Sequence, residues 1–277
     1  MNQSLTGKDI IKIGDLSKAE IEAILDRAAE FEGQSNLDVL AGRILATMFY
    51  EPSTRTRLSF ESAMQRLGGD VISVASGAKT TSAAKGETLY DAAMVVSGYA
   101  DAIVQRHPAP GSAEEAASGA TVPLINGGDG AGEHPTQALL DLYTIRKERG
   151  QIDGLRVGLV GDLKHGRTMH SLSQALTHWD VKLTFIAPGD LAMPAEITNA
   201  VRQAGVDVAE TDRLEGALPE CDVVYMTRIQ RERFSDPGEY DRLKDSYVLT
   251  RALVERTNPQ VTIMHPLPRV NEIATDV

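Results

Sequence analysis

Hydroxyl and guanidinium side chains stand together in one short segment of the sequence, at Ser53, Thr54, Arg55 and Thr56. The segment follows Pro52, and apolar residues at helical spacing come after it, so we expect these four residues in the first turn of a helix. Backbone N–H groups in a first turn have no partner inside the helix, and the helix dipole favours an anion there. With the side-chain donors added, the segment predicts a phosphate site; an ordinary Ser/Thr N-cap is the alternative.

A second candidate site combines His134 with Gln137, three residues apart at the start of another predicted helix. Pro135 suits the first position of that helix, and residues three apart share one helix face. A glycine-rich segment, residues 126–132, comes just before it. An imidazole and an amide in this arrangement could donate hydrogen bonds to a carbonyl oxygen, although a lone structural histidine is the alternative.

Cationic side chains follow six of the predicted strands, although the protein as a whole is acidic, with 28 Lys and Arg, 39 Asp and Glu and a net charge of −11. In open α/β sheets, ligands bind outside the carboxyl ends of the strands. The pattern therefore predicts that these side chains converge on an anionic ligand; polar surface loops are the alternative. The residues concerned are Arg55, Arg106, His134, Arg167, Arg228 and Arg269.

Short apolar runs alternate with helical patterns along the chain, and this alternation predicts the α/β class. We expect two doubly wound domains, each with a mainly parallel sheet flanked by helices, over residues 1–133 and 134–277. One continuous sheet with a long loop is the alternative. The predicted strands are residues 43–50, 70–75, 101–105, 121–126, 156–160, 181–187, 221–226, 247–250 and 261–264.

Several classes of protein are disfavoured by the sequence. The negative net charge argues against binding to nucleic acid or an anionic membrane through bulk charge. Cys221 is the single cysteine, so no disulfide framework is expected, and we predict it to be a buried structural thiol. The scattered histidines predict no metal site, and the lack of a G-x-G-x-x-G or a P-loop motif predicts no nucleotide cofactor. No apolar run is long enough to span a membrane and the first residues do not resemble a signal peptide, so a cytoplasmic protein is expected.

Seven segments, in order and over nearly the whole chain, closely resemble the aspartate branch of the carbamoyltransferase family. They are FYEPSTRTRLSFESAMQRLG, KGET, QRHP, HPTQALLDLYTI, VGDLKHGRTMHSL, YMTRIQRERF and HPLPRVNEIATDV. The segment HPLPR is similar to the aspartate branch, whereas the ornithine branch has HCLP at this point. The resemblance implies transfer of the carbamoyl group from carbamoyl phosphate to the amine of L-aspartate, in pyrimidine biosynthesis.

The resemblance also implies a role for individual residues. The first domain would bind carbamoyl phosphate and the second L-aspartate, with Arg55, Thr56, Arg106 and His134 as the catalytic group. The phosphate would be held by Ser53, Thr54, Arg55 and Thr56. The carbonyl oxygen would be contacted by Thr56, Arg106 and His134. The carbamoyl amide would be contacted by Gln137 and the backbone carbonyls of Leu267 and Pro268. The aspartate would be bound by Arg167 and Arg228, with Gln230 orienting their loop.

Lys85 would come from a neighbouring subunit, which implies a homotrimer with shared sites; its hydroxyl partner would be either Thr81 or Ser82. A regulatory chain is a further partner that the family admits. The family also has a C-terminal segment that returns to the first domain as a helix, and we expect this helix to be absent, since the sequence ends at Val277. Two alternatives for the function remain, a carbamoyltransferase acting on another amino acid such as ornithine, and a non-catalytic anion-binding protein.

Overall fold

The computed structural model of the protein describes residues 5–34, 36–75, 85–234 and 236–277. The chain forms two compact units, Met1–Leu139 and Leu140–Val277. The predicted boundary between residues 133 and 134 lies shortly before this division and remains a prediction. Among the described residues, every helix is too short or too polar to cross a membrane.

The first unit contains a four-stranded parallel sheet in the order β2-β1-β3-β4. Its strands are β1 (Ile44–Phe49), β2 (Asp70–Val74), β3 (Ala102–His107) and β4 (Leu124–Asp129). Its helices are α1 (Lys18–Phe31), α2 (Thr54–Arg66), α3 (Leu89–Val96), α4 (Ser112–Gly119) and the first part of α5 (Pro135–Arg149).

The helix predicted to begin at residues 53–56 is confirmed as α2, which ends just before Gly68. Gly68 has a φ of +87°, a left-handed conformation that terminates helices, and a Cβ there would lie 2.6 Å from the Leu37 carbonyl oxygen. Met64 is the buried residue of this helix and packs with Leu45 and Phe49 of β1. The helix is therefore fixed on the sheet by its apolar face, and its first turn lies after the carboxyl end of β1.

The second unit contains a five-stranded parallel sheet in the order β7-β6-β5-β8-β9. Its strands are β5 (Arg156–Val160), β6 (Lys182–Ile186), β7 (Asp207–Thr211), β8 (Val223–Met226) and β9 (Thr262–Met264). Its helices are the rest of α5, α6 (Arg167–Leu176), α7 (Ala195–Gln203), α8 (Leu214–Ala217), α9 (Pro237–Leu243) and α10 (Arg251–Thr257). Strands β5 and β8 are buried almost throughout, as expected for the centre of a parallel sheet.

The predicted fold class is confirmed, because each unit has its own parallel sheet flanked by helices; the alternative of one continuous sheet is wrong. The prediction of Cys221 as a buried thiol is also confirmed: it is 1% exposed, and burial raises the pKa of its thiol to about 11.

One predicted strand is wrong, and one strand of the structure was not predicted. Residues 247–250 form a single bridge, between Leu249 and Ile273, and Thr250 caps α10. Tyr247 and Leu249 are buried at alternate positions, as in a half-buried strand, but the segment makes an isolated bridge and not a ladder. The edge strand β7 was not predicted, because its polar sequence, DVAET, has no fully buried residue. Strand β4 also runs further than expected, into the glycine-rich segment, where β3 supplies its partners.

Candidate active site

The carboxyl ends of β1, β3 and β4 carry the predicted site residues of the first unit. These three strands are adjacent, with Phe49 opposite Arg106 in the register of β1 and β3. The backbone N–H of Tyr50 donates to the Arg106 carbonyl at 2.9 Å. Residues 53–56 follow β1, Arg106 lies in β3 and His134 follows β4, so the sheet brings them to one edge.

The first turn of α2 differs from the ordinary helix starts of this chain. Ser17, Thr88 and Thr250 each accept a capping hydrogen bond through their side chains, whereas Ser53, also at an N-cap, makes no such bond. The N-cap alternative therefore does not account for the Ser53 hydroxyl. Thr54 is the first helical residue, and its side chain and that of Arg55 are exposed.

A polar cluster beneath α2 ties this helix to the sheet. The hydroxyls of Thr47 on β1 and Ser73 on β2 donate to Oε1 of Glu61 at 3.0 and 2.7 Å. The same oxygen lies 3.6 Å from Nε of Arg57. Arg57 therefore pairs within its own helix, and the Glu61 carboxylate fixes how α2 is rotated on the sheet.

The guanidinium of Arg106 is held in place from two sides. Its Nε donates to Glu51 at 2.7 Å and its Nη1 donates to the Gly127 carbonyl at 3.1 Å. The side chain is only 12% exposed. An arginine that is buried and hydrogen-bonded in this way presents its remaining donors in a fixed direction.

His107 follows Arg106 but does not add a charge. Its ring packs edge-on against Tyr50 with 5.2 Å between the ring centroids, and its Nδ1 accepts from the Ala109 N–H at 3.1 Å. Burial lowers the pKa of His107, so the neutral ring is favoured. The positive charge at this strand end comes from Arg106.

His134 and Gln137 lie at the start of α5, as predicted. Pro135 is its first residue, and the backbone N–H of Gln137 donates to the His134 carbonyl at 3.0 Å. His134 is 7% exposed. The preceding turn requires glycine at Gly130, whose φ is +56° and whose Cβ would lie 2.3 Å from the Pro108 carbonyl oxygen.

The second unit repeats the arrangement at the carboxyl ends of β5, β8 and β9, which are also adjacent. Arg167 begins α6 after β5, Arg228 and Gln230 follow β8, and the segment with Leu267 and Pro268 follows β9. The loops after β5 and β8 touch through their backbones, because a Cβ on Gly161 would lie 2.2 Å from the Thr227 carbonyl oxygen.

Two family models match this chain. The model for the carbamoyl phosphate binding domain of aspartate/ornithine carbamoyltransferases matches residues 8–147, and that for their Asp/Orn binding domain matches residues 153–277. The chain belongs to the aspartate/ornithine carbamoyltransferase family. The predicted family and the predicted enzyme class, a transferase, are thereby confirmed.

Individual carbamoyltransferases are similar to this chain in sequence and in structure. The aspartate carbamoyltransferase catalytic subunit of Thermococcus onnurineus is 54% identical over 275 residues, 98% of this chain and 88% of that protein. The catalytic subunit of M. jannaschii aspartate transcarbamoylase has a TM-score of 0.89 at 50% identity, covering 97% of this chain and 89% of that one. A Trypanosoma cruzi aspartate transcarbamoylase in complex with carbamoyl aspartate and phosphate has a TM-score of 0.90 at 38% identity, covering 98% and 88%.

Sequence reasoning missed Asp162, which connects the loops after β5 and β8. This side chain is fully buried and accepts from the backbone N–H of His165 at 3.0 Å. The His165 ring lies with Nδ1 3.0 Å from the same carboxylate oxygen, and because a carboxylate only accepts, that nitrogen carries the proton. The backbone N–H of Gln230 lies 3.5 Å from the other oxygen. The signal was an acidic residue directly after a buried strand and a glycine.

Glu272 was missed as well, as the support of the HPLPR segment. His265 donates from Nε2 to Glu272 at 2.7 Å, while its Nδ1 accepts from the Leu267 N–H at 2.8 Å. Burial alone would raise the pKa of Glu272, but hydrogen bonds from His265 and from backbone N–H groups outweigh it and hold this pKa below its usual value. The segment also contains a cis peptide bond between Leu267 and Pro268.

Lys85 is described and exposed, just before α3. Its predicted hydroxyl partners, Thr81 and Ser82, lie outside the described residues. The role of Lys85 therefore remains a prediction.

Proposed function

We propose that this chain transfers the carbamoyl group of carbamoyl phosphate to the amine of L-aspartate, giving N-carbamoyl-L-aspartate and phosphate. The observation that carries the proposal is the edge of the first unit's sheet, where the start of α2 lies beside Arg106 and the His134 turn. An anion site next to buried, fixed hydrogen-bond donors fits a substrate with a phosphate and a carbonyl group.

The phosphate is bound by the first turn of α2. Its backbone N–H groups and the helix dipole favour the anion, and Ser53, Thr54, Arg55 and Thr56 add hydroxyl and guanidinium donors. Arg55 also stabilises the charge that grows on the phosphate as it leaves. The uncapped Ser53 hydroxyl and the exposed Arg55 side chain support this assignment.

The carbonyl oxygen of the substrate is stabilised by Thr56, Arg106 and His134. As the aspartate nitrogen attacks, the carbon–nitrogen bond forms, negative charge develops on this oxygen, and the bond to the phosphate oxygen then breaks. The leaving phosphate can accept the proton that the amine loses. Donors that are already fixed need no reorganisation during the reaction, and the two contacts of Arg106 support this role. Gln137 and the backbone carbonyls of Leu267 and Pro268 orient the carbamoyl amide.

L-Aspartate is bound through its carboxylates by Arg167 and Arg228, and Gln230 orients the loop after β8. Two guanidinium groups on adjacent loops suit a dicarboxylate, since each binds a carboxylate through paired N–H donors. Ornithine, the substrate of the main alternative, carries a second amine, which two cations do not favour. The relatives named above act as aspartate carbamoyltransferases by their names, and this supports the same choice here.

We further propose that the enzyme is a cytoplasmic homotrimer of pyrimidine biosynthesis, with Lys85 completing the site of a neighbouring subunit. Support comes from exposed apolar side chains on and after α3, close to Lys85 in sequence: Tyr90, Met94, Val95 and Tyr99. A second copy of the chain would cover such a surface, and the mass of the particle in solution checks this. Several relatives are named catalytic subunits, which supports a regulatory chain as a further partner.

The test is an assay of carbamoyl aspartate with the wild type and with Arg55→Ala. We expect the variant to lose roughly 10²-fold or more in kcat/KM for carbamoyl phosphate, because it removes a charged donor from the anion site. The matched control is Arg66→Ala in the last turn of the same helix, where Nε of Arg66 donates to the exposed Ser62 hydroxyl at 3.3 Å.

Full activity of Arg55→Ala would refute the site assignment. Carbamoylation of ornithine in place of aspartate would favour the alternative substrate. A wild type that releases no phosphate from carbamoyl phosphate and L-aspartate would favour the non-catalytic alternative.

A further inference from the structure

Asp129, the last residue of β4, is a buried acid to which the proposed mechanism gives no role. It is 4% exposed, and its carboxylate accepts three hydrogen bonds. The backbone N–H of Glu133 donates to Oδ1 at 2.6 Å, the Asn126 amide donates to the same oxygen at 3.3 Å, and the backbone N–H of Gly111 donates to Oδ2 at 2.9 Å. A buried carboxylate is stable only when it is hydrogen-bonded in this way, so its surroundings are built around its charge.

The donors belong to separate segments of the first unit. Glu133 directly precedes His134, Gly111 ends the loop that follows Arg106 and β3, and Asn126 lies within β4. Backbone hydrogen bonds close the same turn, from Gly130 to the His107 carbonyl at 2.8 Å and from Gly132 to the Asp129 carbonyl at 2.8 Å. One carboxylate thus joins the backbone next to His134 to the end of the loop that follows β3, the strand that carries Arg106.

The shape of the turn fits closely around this carboxylate. A Cβ on Gly132 would lie 2.7 Å from Oδ1 of Asp129, closer than a side-chain carbon normally approaches an oxygen. A methyl group at residue 132 would therefore displace the carboxylate without changing any charge.

We infer that Asp129 is a positioning residue, which sets the distance between the guanidinium of Arg106 and the imidazole of His134. The inference rests on the proposed function, in which these two side chains contact the same carbonyl oxygen. Donors to a developing oxyanion act only at hydrogen-bond distance, and a displacement of about 1 Å can cost about 10²-fold in rate. The residue itself does not touch the substrate.

The first experiment compares Asp129→Asn with the wild type. The amide has the size of the carboxylate, but an NH₂ group replaces one of the two oxygens. This donor must then face another donor, the N–H of Gly111 or that of Glu133. We expect kcat to fall by about 10²-fold. The affinity for inorganic phosphate, measured by calorimetry, should stay close to that of the wild type, because the phosphate donors lie on α2, which Asp129 does not contact through its three hydrogen bonds.

The matched control is Asp101→Asn. Asp101 lies in the same unit just before β3, at the opposite edge of the sheet, and it also accepts a backbone N–H, from Ile44 at 2.9 Å. Its loss should lower stability and leave kcat and phosphate affinity unchanged. A purely structural role for Asp129 would make the two variants behave alike.

Gly132→Ala is the second variant, and it tests the positioning role of Asp129 if Asp129→Asn does not fold. It displaces the same carboxylate, so kcat should fall while phosphate affinity is retained. Unchanged kcat in either folded variant would overturn the inference, as would a parallel loss of kcat and phosphate affinity. A wild type that forms no carbamoyl aspartate would instead refute the proposed function, so the two failures are distinguishable.

Discussion

The two units place the proposed ligand-binding side chains at the carboxyl edges of their sheets in different ways. In the first unit, four of them are consecutive residues, Ser53 to Thr56, on one helix start. In the second unit, Arg167 begins α6 after β5, and Arg228 and Gln230 lie in the loop after β8. The loops after these two strands are joined by Asp162 and by the contact of Gly161 with Thr227. The first arrangement depends on local sequence, whereas the second depends on contacts between distant parts of the chain.

This difference predicts how each unit responds to mutation. A change in the first unit should alter the reaction of the carbamoyl group, because fixed donors act on the atoms that react. A change in the second unit should mainly alter the binding of the amino acid, because its arginines hold a substrate by its carboxylates.

Replacing Arg106 with alanine should have the largest effect. It removes one of the proposed donors to the oxyanion, which typically costs about 10²–10³ in kcat. Steady-state kinetics with both substrates check this. The control is Arg43→Ala, since Arg43 also pairs with an acid of the first unit, Asp101, at 2.6 Å and at the opposite edge of the sheet. If Arg106→Ala raised only the KM for aspartate, the proposed separation of roles would be wrong.

Replacing Asp162 with asparagine should have an intermediate effect on a different constant. The variant keeps the size of the side chain but loses the charge that holds His165 and the Gln230 backbone, and such hydrogen bonds contribute about 1.5–3 kcal/mol. The KM for aspartate should rise about tenfold or more, with the KM for carbamoyl phosphate nearly unchanged.

Asp153→Asn is the control for that variant, because Asp153 accepts the Asp180 N–H at 2.8 Å in an exposed part of the same unit. Equal increases in both KM values for Asp162→Asn would contradict the comparison between the units.

Replacing Glu20 with glutamine should have the smallest effect, on stability alone. Glu20 completes the capping box of α1 with Ser17 and pairs with Lys8 at 2.6 Å. Hydrogen bonds from Lys8 and Ser17 lower the pKa of Glu20 to about 2 in the folded state. Its contribution to stability is therefore present above the ordinary value of 4.5 and is lost as the pH falls from there toward about 2.

Thermal unfolding of wild type and Glu20→Gln at several pH values measures this contribution. The two proteins should differ at neutral pH and converge in acid, while kcat should be the same for both. A difference that persisted at the lowest pH would mean that the carboxylate charge is not its source.

Local features of the chain were predictable from its sequence. Spacing and glycine or proline signals predict the start of α2 at residues 53–56, the start of α5 at Pro135 and most central strands. The strand β7 was not predictable in this way, because an exposed edge strand lacks an apolar face. Residues 247–250 were wrongly predicted as a strand, because their burial comes from loop packing.

The supporting acids were harder to predict than the side chains they support. Glu51 and Asp162 each act on a residue that is distant in sequence, and Glu272 acts on His265 within the segment after β9. An acidic side chain by itself is typical of a solvated surface. Only the packing of strands beside one another shows which of them are buried and what they hold.

The close approach of Gly161 to the Thr227 carbonyl has a consequence for substrate length. The separation of the loops after β5 and β8 is set by main-chain atoms in contact, at a point where even a methyl group does not fit. In the proposed function, the amino acid bridges Arg167 and Arg228. Its length must therefore match the distance between these two side chains, which rotation of the side chains changes only in part. In the proposed function, backbone contacts of the second unit therefore limit the length of the amino acid, and its arginine side chains bind the charges.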